Sequence, residues 1–179
     1  DLVCLTQLKA RGMHEEDLFA LWGNQDGSVS VSVDHIHGRT TARIYYNDYA
    51  PQERQRFTIA EEITHYLLGH YVDERCNVLS PEFDQEFYRH CDEQARIGAG
   101  LILCPPAVFY EVPEYNNPAD VARLCNISLP CATARVEIMQ QYREEILANS
   151  LYRRLRLTFD DTISKLMAQT FQGGSLFAF

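Results

Sequence analysis

From Pro51 to Tyr71 apolar residues recur at helical spacing, with Phe57, Ala60, Thr64, Leu67 and Tyr71 along one face and Ile59, Ile63 and Leu68 flanking it. A helix apolar over so wide an arc should be buried on more than one side, and the rest of the chain must wrap it. Yet the same helix carries Glu61, Glu62 and His65. Glu61 and His65 lie about 40° apart on one stripe, so their side chains converge on a single point. Charged groups inside a buried helix need partners or a cation, because an unpaired charge away from water is costly.

The run Glu61-Glu62-Ile63-Thr64-His65 is one residue away from H-E-x-x-H. In that pattern two histidines on one helix face hold a zinc ion while the intervening glutamate reaches its bound water. Glu61 stands at the first ligand position, Glu62 at the general base and His65 at the second ligand. Glu61 is then either a carboxylate ligand or a pocket carboxylate paired with a neighbour such as an arginine, and the second reading is preferred. His70 would lie about 140° around a continuous helix from His65, which makes it a helix-end or packing residue. His90 falls on a different helix face from Asp92, His35 and His37 share one face of a solvated turn, and Tyr45 and Tyr46 read as packing residues.

Ahead of this helix the pattern has period two. Val29, Val31 and Val33 alternate with Ser28, Ser30 and Ser32, and Thr41 to Tyr46 supplies a second strand after a turn at Gly38, which predicts a β-hairpin. A short helix is expected to end near Trp22-Gly23-Asn24. Downstream, a helix from about Asp84 to Leu103 should stop at Cys104-Pro105-Pro106, where proline cannot continue the hydrogen-bond ladder. Further helices are expected at Pro118 to Cys125, Leu129 to Leu147 and Asp161 to Phe171, with a loosely held tail from Gln172. The pair near 117–147 resembles a helix-turn-helix, but Glu137, Glu144 and Glu145 make its second helix too acidic to read DNA.

The fold class is therefore α+β, a small antiparallel sheet or hairpin packed on a mainly helical domain. Residues 1–150 are read as one domain and 151–179 as a C-terminal helix and tail. The formal charge of −9, from 25 acidic and 16 basic residues, repels phosphate backbones, so direct nucleic-acid binding is not expected. No apolar run is long enough to span a membrane, and no secretory segment opens the chain. The six cysteines contain no C-x-x-C pair and read as buried reduced thiols, which favours a cytoplasmic setting.

These pieces together resemble the ImmA/IrrE family of zincin-like metallo-endopeptidases. That family shows a strand ending in asparagine, a helix R-F-T-x-A-H-E-x-x-H-x-L-L-x-H and a later helix E-x-x-A-N-x-F-A-x-x-L-L-M-P. This chain offers Ile44-Tyr45-Tyr46-Asn47, then Arg56-Phe57-Thr58-Ile59-Ala60-Glu61-Glu62-Ile63-Thr64-His65-Tyr66-Leu67-Leu68-Gly69-His70, then Asp92-Glu93-Gln94-Ala95-Arg96 running on to Cys104-Pro105. The resemblance puts Asp92, an acid one methylene shorter, on the third metal ligand. It implies a metal set of Glu61, His65 and Asp92, a catalytic Glu62 and a zinc or other divalent ion held at low occupancy. It also implies a protein or peptide substrate, such as a helix-turn-helix repressor.

With Glu61 in place of histidine, two expectations follow. A bound metal would sit among two carboxylates and one imidazole, a harder set that pulls less on its water, giving an impaired peptidase. Without a metal, Glu61, Glu62 and Asp92 crowd one pocket, and burial plus like charge should raise at least one of their pKa values. The protein would then be an inactive pseudoprotease that binds peptides or regulatory proteins, and would be more stable at mildly acidic pH.

Overall fold

The computed structural model describes residues 1–14, 16–17, 26–34, 37–77, 80–112 and 116–171. The expected helix end at Trp22, the residue His35 and the tail from Gln172 lie outside the described residues. Contacts group the chain into two compact units, Asp1–Ala99 and Gly100–Phe179.

In the first unit β1 (Leu2–Cys4) leads into α1 (Leu5–Ala10), followed by β2 (Gly27–Asp34) and β3 (Arg39–Tyr46). The expected hairpin is present: β2 and β3 pair antiparallel with Val29 opposite Ile44 and Val31 opposite Ala42. Ser30 and Ser32 face solvent while the neighbouring Val29 and Val31 are half-buried, as a period of two requires. The sheet is mixed, however, and not purely antiparallel. β1 joins it parallel to β3, with Val3 opposite Tyr45, giving the order β1-β3-β2. Three residues are too few to show a period, and β1 is held by backbone groups, with the Asp1 amine donating to Ala42 O at 2.8 Å and Ile44 N to Asp1 O at 2.9 Å.

α2 (Gln52–Leu68) starts behind Pro51 and ends at Gly69, whose φ of 75° lets its N–H reach back to the last turn. Its buried residues are Thr58, Ala60 and Thr64, whereas Leu67 and Leu68 are 69% and 54% exposed. The helix is thus buried through its small residues, against the expectation from its large ones. The reason is close approach. A Cβ at Gly27 of β2 would collide with Thr58, and one at Gly98 would meet Thr64 Oγ1 at 2.8 Å. Such contacts leave no room for leucine on that face.

Two tight turns, His70–Val72 and Glu74–Cys76, lead toward α3 (Gln85–Leu103). Asp84 caps it, its carboxylate accepting from Glu86 N at 2.9 Å and Phe87 N at 3.0 Å. Cys91, Ala95 and Ala99 form its buried stripe at four-residue spacing.

The second unit takes up the last turn of α3 and continues through α4 (Pro106–Phe109), α5 (Pro118–Cys125), α6 (Leu129–Gln141), α7 (Arg143–Ala148), α8 (Ser150–Thr158) and α9 (Asp160–Phe171). The helix expected from Leu129 to Leu147 breaks at Tyr142, whose φ of −104° and ψ of 22° are not helical. α5 and α6 meet at Asn126, left-handed at φ 50°, and bury Val121, Ile127, Ala132 and Val136 in the unit's core. That arrangement gives the acidic helix pair a packing role. No described helix is long and apolar enough to cross a membrane.

Candidate functional site

Glu61, Glu62, His65 and Asp92 all line one cleft of about 320 Å³ in the first unit, with Asp26, Arg54, Thr58, Tyr88 and Arg96 around them. Helical spacing accounts for the convergence. Glu61 and His65 are one turn apart on α2, and Tyr88, Asp92 and Arg96 succeed one another by four residues on a single face of α3. Asp26 and Gly27 come from the start of β2. His65 Nε2 lies 4.0 Å from Asp92 Oδ1, so the three positions aligned with a metal set do share a cavity.

A cation already occupies the space between the two acids of that set. Arg96 places Nη2 2.7 Å from Asp92 Oδ2 and Nε 3.3 Å from Glu61 Oε1. Arg54 pairs with Asp26 at 2.6 Å. Three of the four cleft carboxylates thus share two guanidinium groups, and Glu62 pairs with neither. Burial pushes its pKa up to about 7, the charges of Glu61 and Asp92 push the same way, and the Val29 backbone N–H of β2 opposes them. Burial also raises Glu61, reinforced by Asp92 and opposed by Arg96.

His65 moves the other way. Burial and the neighbouring His70 lower it to about 4 against the pull of Asp92, so near neutral pH it faces Asp92 as an uncharged ring and no ion pair forms. Its tautomer follows from a chain of contacts. The Gln94 side-chain oxygen lies 3.1 Å from His70 Nε2, which must therefore donate. With the His70 ring uncharged, its Nδ1 is the acceptor and His65 Nδ1–H donates to it at 3.0 Å. The unprotonated Nε2 of His65 then faces the cleft. Gln94 Nε2 in turn donates to His90 Nε2 at 3.2 Å, which holds His90 outside the group around Asp92.

Sequence reasoning missed His70. Its 140° separation from His65 assumes one continuous helix, but the left-handed turn at Gly69 brings the buried His70 ring back to 5.0 Å from the His65 ring, edge to face. The signal was the glycine in Leu67-Leu68-Gly69-His70. Arg96 was anticipated only as a type of neighbour, though its place one turn beyond Asp92 was readable.

These residues do not fit a zinc ion as arranged. Zinc ligands approach to about 2.0–2.2 Å in a tetrahedral set, whereas one oxygen of Glu61 and one of Asp92 are turned onto a guanidinium that would stand beside the incoming cation. Among the described residues no three His, Cys, Asp or Glu side chains are placed to hold a metal.

No curated protein matches the chain. The sequence model of the IrrE N-terminal-like domain, a peptidase family, matches residues 23–137, a span that contains every cleft residue named above. The match spans well over half of the chain, and the chain belongs to the IrrE N-terminal-like family of metallopeptidase-like proteins.

Proposed function

We propose that this protein is a pseudoprotease, a regulatory binding module on a peptidase fold whose cleft engages a protein or peptide without cutting it. The observation that carries this reading is Arg96 held between Glu61 and Asp92. A guanidinium paired with both acids offsets part of the charge that would otherwise recruit a metal, and its own charge disfavours a second cation at the same point. The partner class comes from the family, whose peptidase character points to protein substrates, and a helix-turn-helix repressor is the specific partner suggested. The six free cysteines are compatible with a reducing, cytoplasmic setting.

A slow metallo-endopeptidase is the second reading. It is favoured by Glu62, a carboxyl near 7 as a general base should be, and by the open Nε2 of His65. Metal content after chelator-free purification separates the two, measured on the native chain, on Glu61→His and on Glu61→His with Arg96→Asn. The expected result is metal well below one equivalent in the native chain and near one equivalent only in the double variant. Stoichiometric metal in the native chain, with cleavage of a peptide library that a chelator abolishes, would overturn the proposal.

A further inference from the structure

Cys76 and Cys91 are the closest pair of thiols described in the first unit, and neither takes part in the cleft. We infer that they are a redox modification site, closing to a disulfide when the protein meets a two-electron oxidant of the peroxide class. The bond would staple the α2–α3 connection to the helix that carries Asp92 and Arg96.

The sulfurs lie 3.4 Å apart, with Cys76 donating its S–H to Cys91. A disulfide needs about 2.05 Å, so closure asks for a movement of little more than an ångström. The approach is built by the neighbouring residue. Arg75 stacks its guanidinium on the Phe87 ring at 3.6 Å from the centroid, accepts at its carbonyl from Asp84 N at 3.0 Å and is gripped by Asp73 at 2.7 Å. Phe87 and Cys91 lie one turn apart on the same face of α3. Residues 75 and 76 therefore lie over residues 87 and 91, and the two thiols are held together before any oxidant arrives, which makes the second step effectively intramolecular.

The chemistry balances. Cys76 is half-buried and Cys91 is buried, so the oxidant meets Cys76 first. The Cys76 sulfur, as its thiolate, attacks one peroxide oxygen and breaks the O–O bond, keeping that oxygen as a sulfenic acid while the other leaves as water. The Cys91 sulfur then displaces the hydroxyl from Cys76, loses its own proton and releases a second water. Two thiols and one peroxide give one disulfide and two waters. The Cys76 thiol is pushed up to about 12, by burial first and then by its contact with Cys91, so the reaction is slow at neutral pH and speeds up in base.

The test treats the full reduced chain with excess hydrogen peroxide at pH 8, blocks remaining thiols by alkylation and maps tryptic peptides by mass. The expected product joins peptide 76–89 to peptide 90–96 with the loss of two hydrogens, and dithiothreitol separates them. Oxidation should also raise the melting temperature, a shift absent from Cys76→Ser and from Cys91→Ser. Recovery of both peptides alkylated, or of Cys76 over-oxidised or joined to another cysteine, overturns the inference. The variants and the native chain are compared by their melting curves in reductant, so a failure to fold is seen directly.

Discussion

Glu62→Gln should stabilise the protein at pH 8 and leave its stability almost unchanged at pH 4.5. In the unfolded chain this carboxyl titrates at 4.5, and in the cleft at about 7. The folded state therefore holds the proton more tightly, and stability is lost as pH rises through that window. At about 1.4 kcal/mol per pH unit the full penalty is about 3 kcal/mol, and about 2 kcal/mol once solvent reaching the half-buried side chain is allowed for. Glutamine keeps an oxygen for the Val29 N–H and removes the charge.

His65 supplies the opposing slope. Its pKa falls from 6.5 to about 4 on folding, so the stability it contributes is present above 6.5 and is lost as pH drops toward 4. Between 4.5 and 6.5 the two residues work against each other, and Glu61, also raised, adds to the Glu62 side, so the native chain should gain little or no stability as pH rises there. The glutamine variant should instead climb across the same interval. Urea unfolding at pH 4.5, 6 and 8 reads both curves. A variant less stable than the native chain at pH 8, or one offset by the same amount at every pH, would refute the electrostatic account of the cleft.

Gly98→Ala should destabilise by about 1–2 kcal/mol, the overpacking cost less the gain in helix propensity. The new Cβ meets Thr64, whose hydroxyl is fixed on Ala60 O at 2.9 Å. Adding Thr64→Ala should restore the melting temperature, and a Gly98→Ala chain as stable as the native one would contradict the close packing of α2 on α3. In the second unit Arg135 is 4% exposed, and its Nε has no hydrogen-bond partner among the described residues. Burial lowers its pKa, so Arg135→Met should raise stability by about 1 kcal/mol in chemical denaturation. A loss of stability in that variant would mean the guanidinium has a compensating role that its 3.4 Å contact with Cys104 O does not express.

Where the sequence had a period, the fold was legible. The alternating valines of β2, the proline-bounded α3 and the stripe of Glu61 and His65 are each visible without coordinates, because each depends only on spacing along one element. The parallel strand β1 depends on backbone pairing with a segment about forty residues away and leaves no local trace. The break at Tyr142 follows no proline or glycine, and α8 carries the exposed Leu151 and Leu157 at 54% and 71%, so neither announces itself. The burial of α2 was misjudged at Leu67 and Leu68 for a related reason. Apolar periodicity shows where a helix can pack, but the glycines at 27 and 98 show where it does, and reading them requires knowing which elements touch.

On the proposed reading, Glu61 and Arg96 work as one unit. Glutamate alone at 61 would leave Glu61, Glu62 and Asp92 in a half-buried cleft with Arg54 already committed to Asp26, and each added carboxylate there costs more than the last. Arginine alone at 96, beside a histidine-held metal, would set two positive centres against each other around Asp92. Together they offset each other in part: the guanidinium serves two acids at 2.7 and 3.3 Å, and half of the charge a divalent metal would bring is supplied by the chain itself. Restoring histidine at 61 by itself removes one of the arginine's two partners while leaving its charge in place. On the proposed reading, metal uptake is therefore expected only when both positions are changed together.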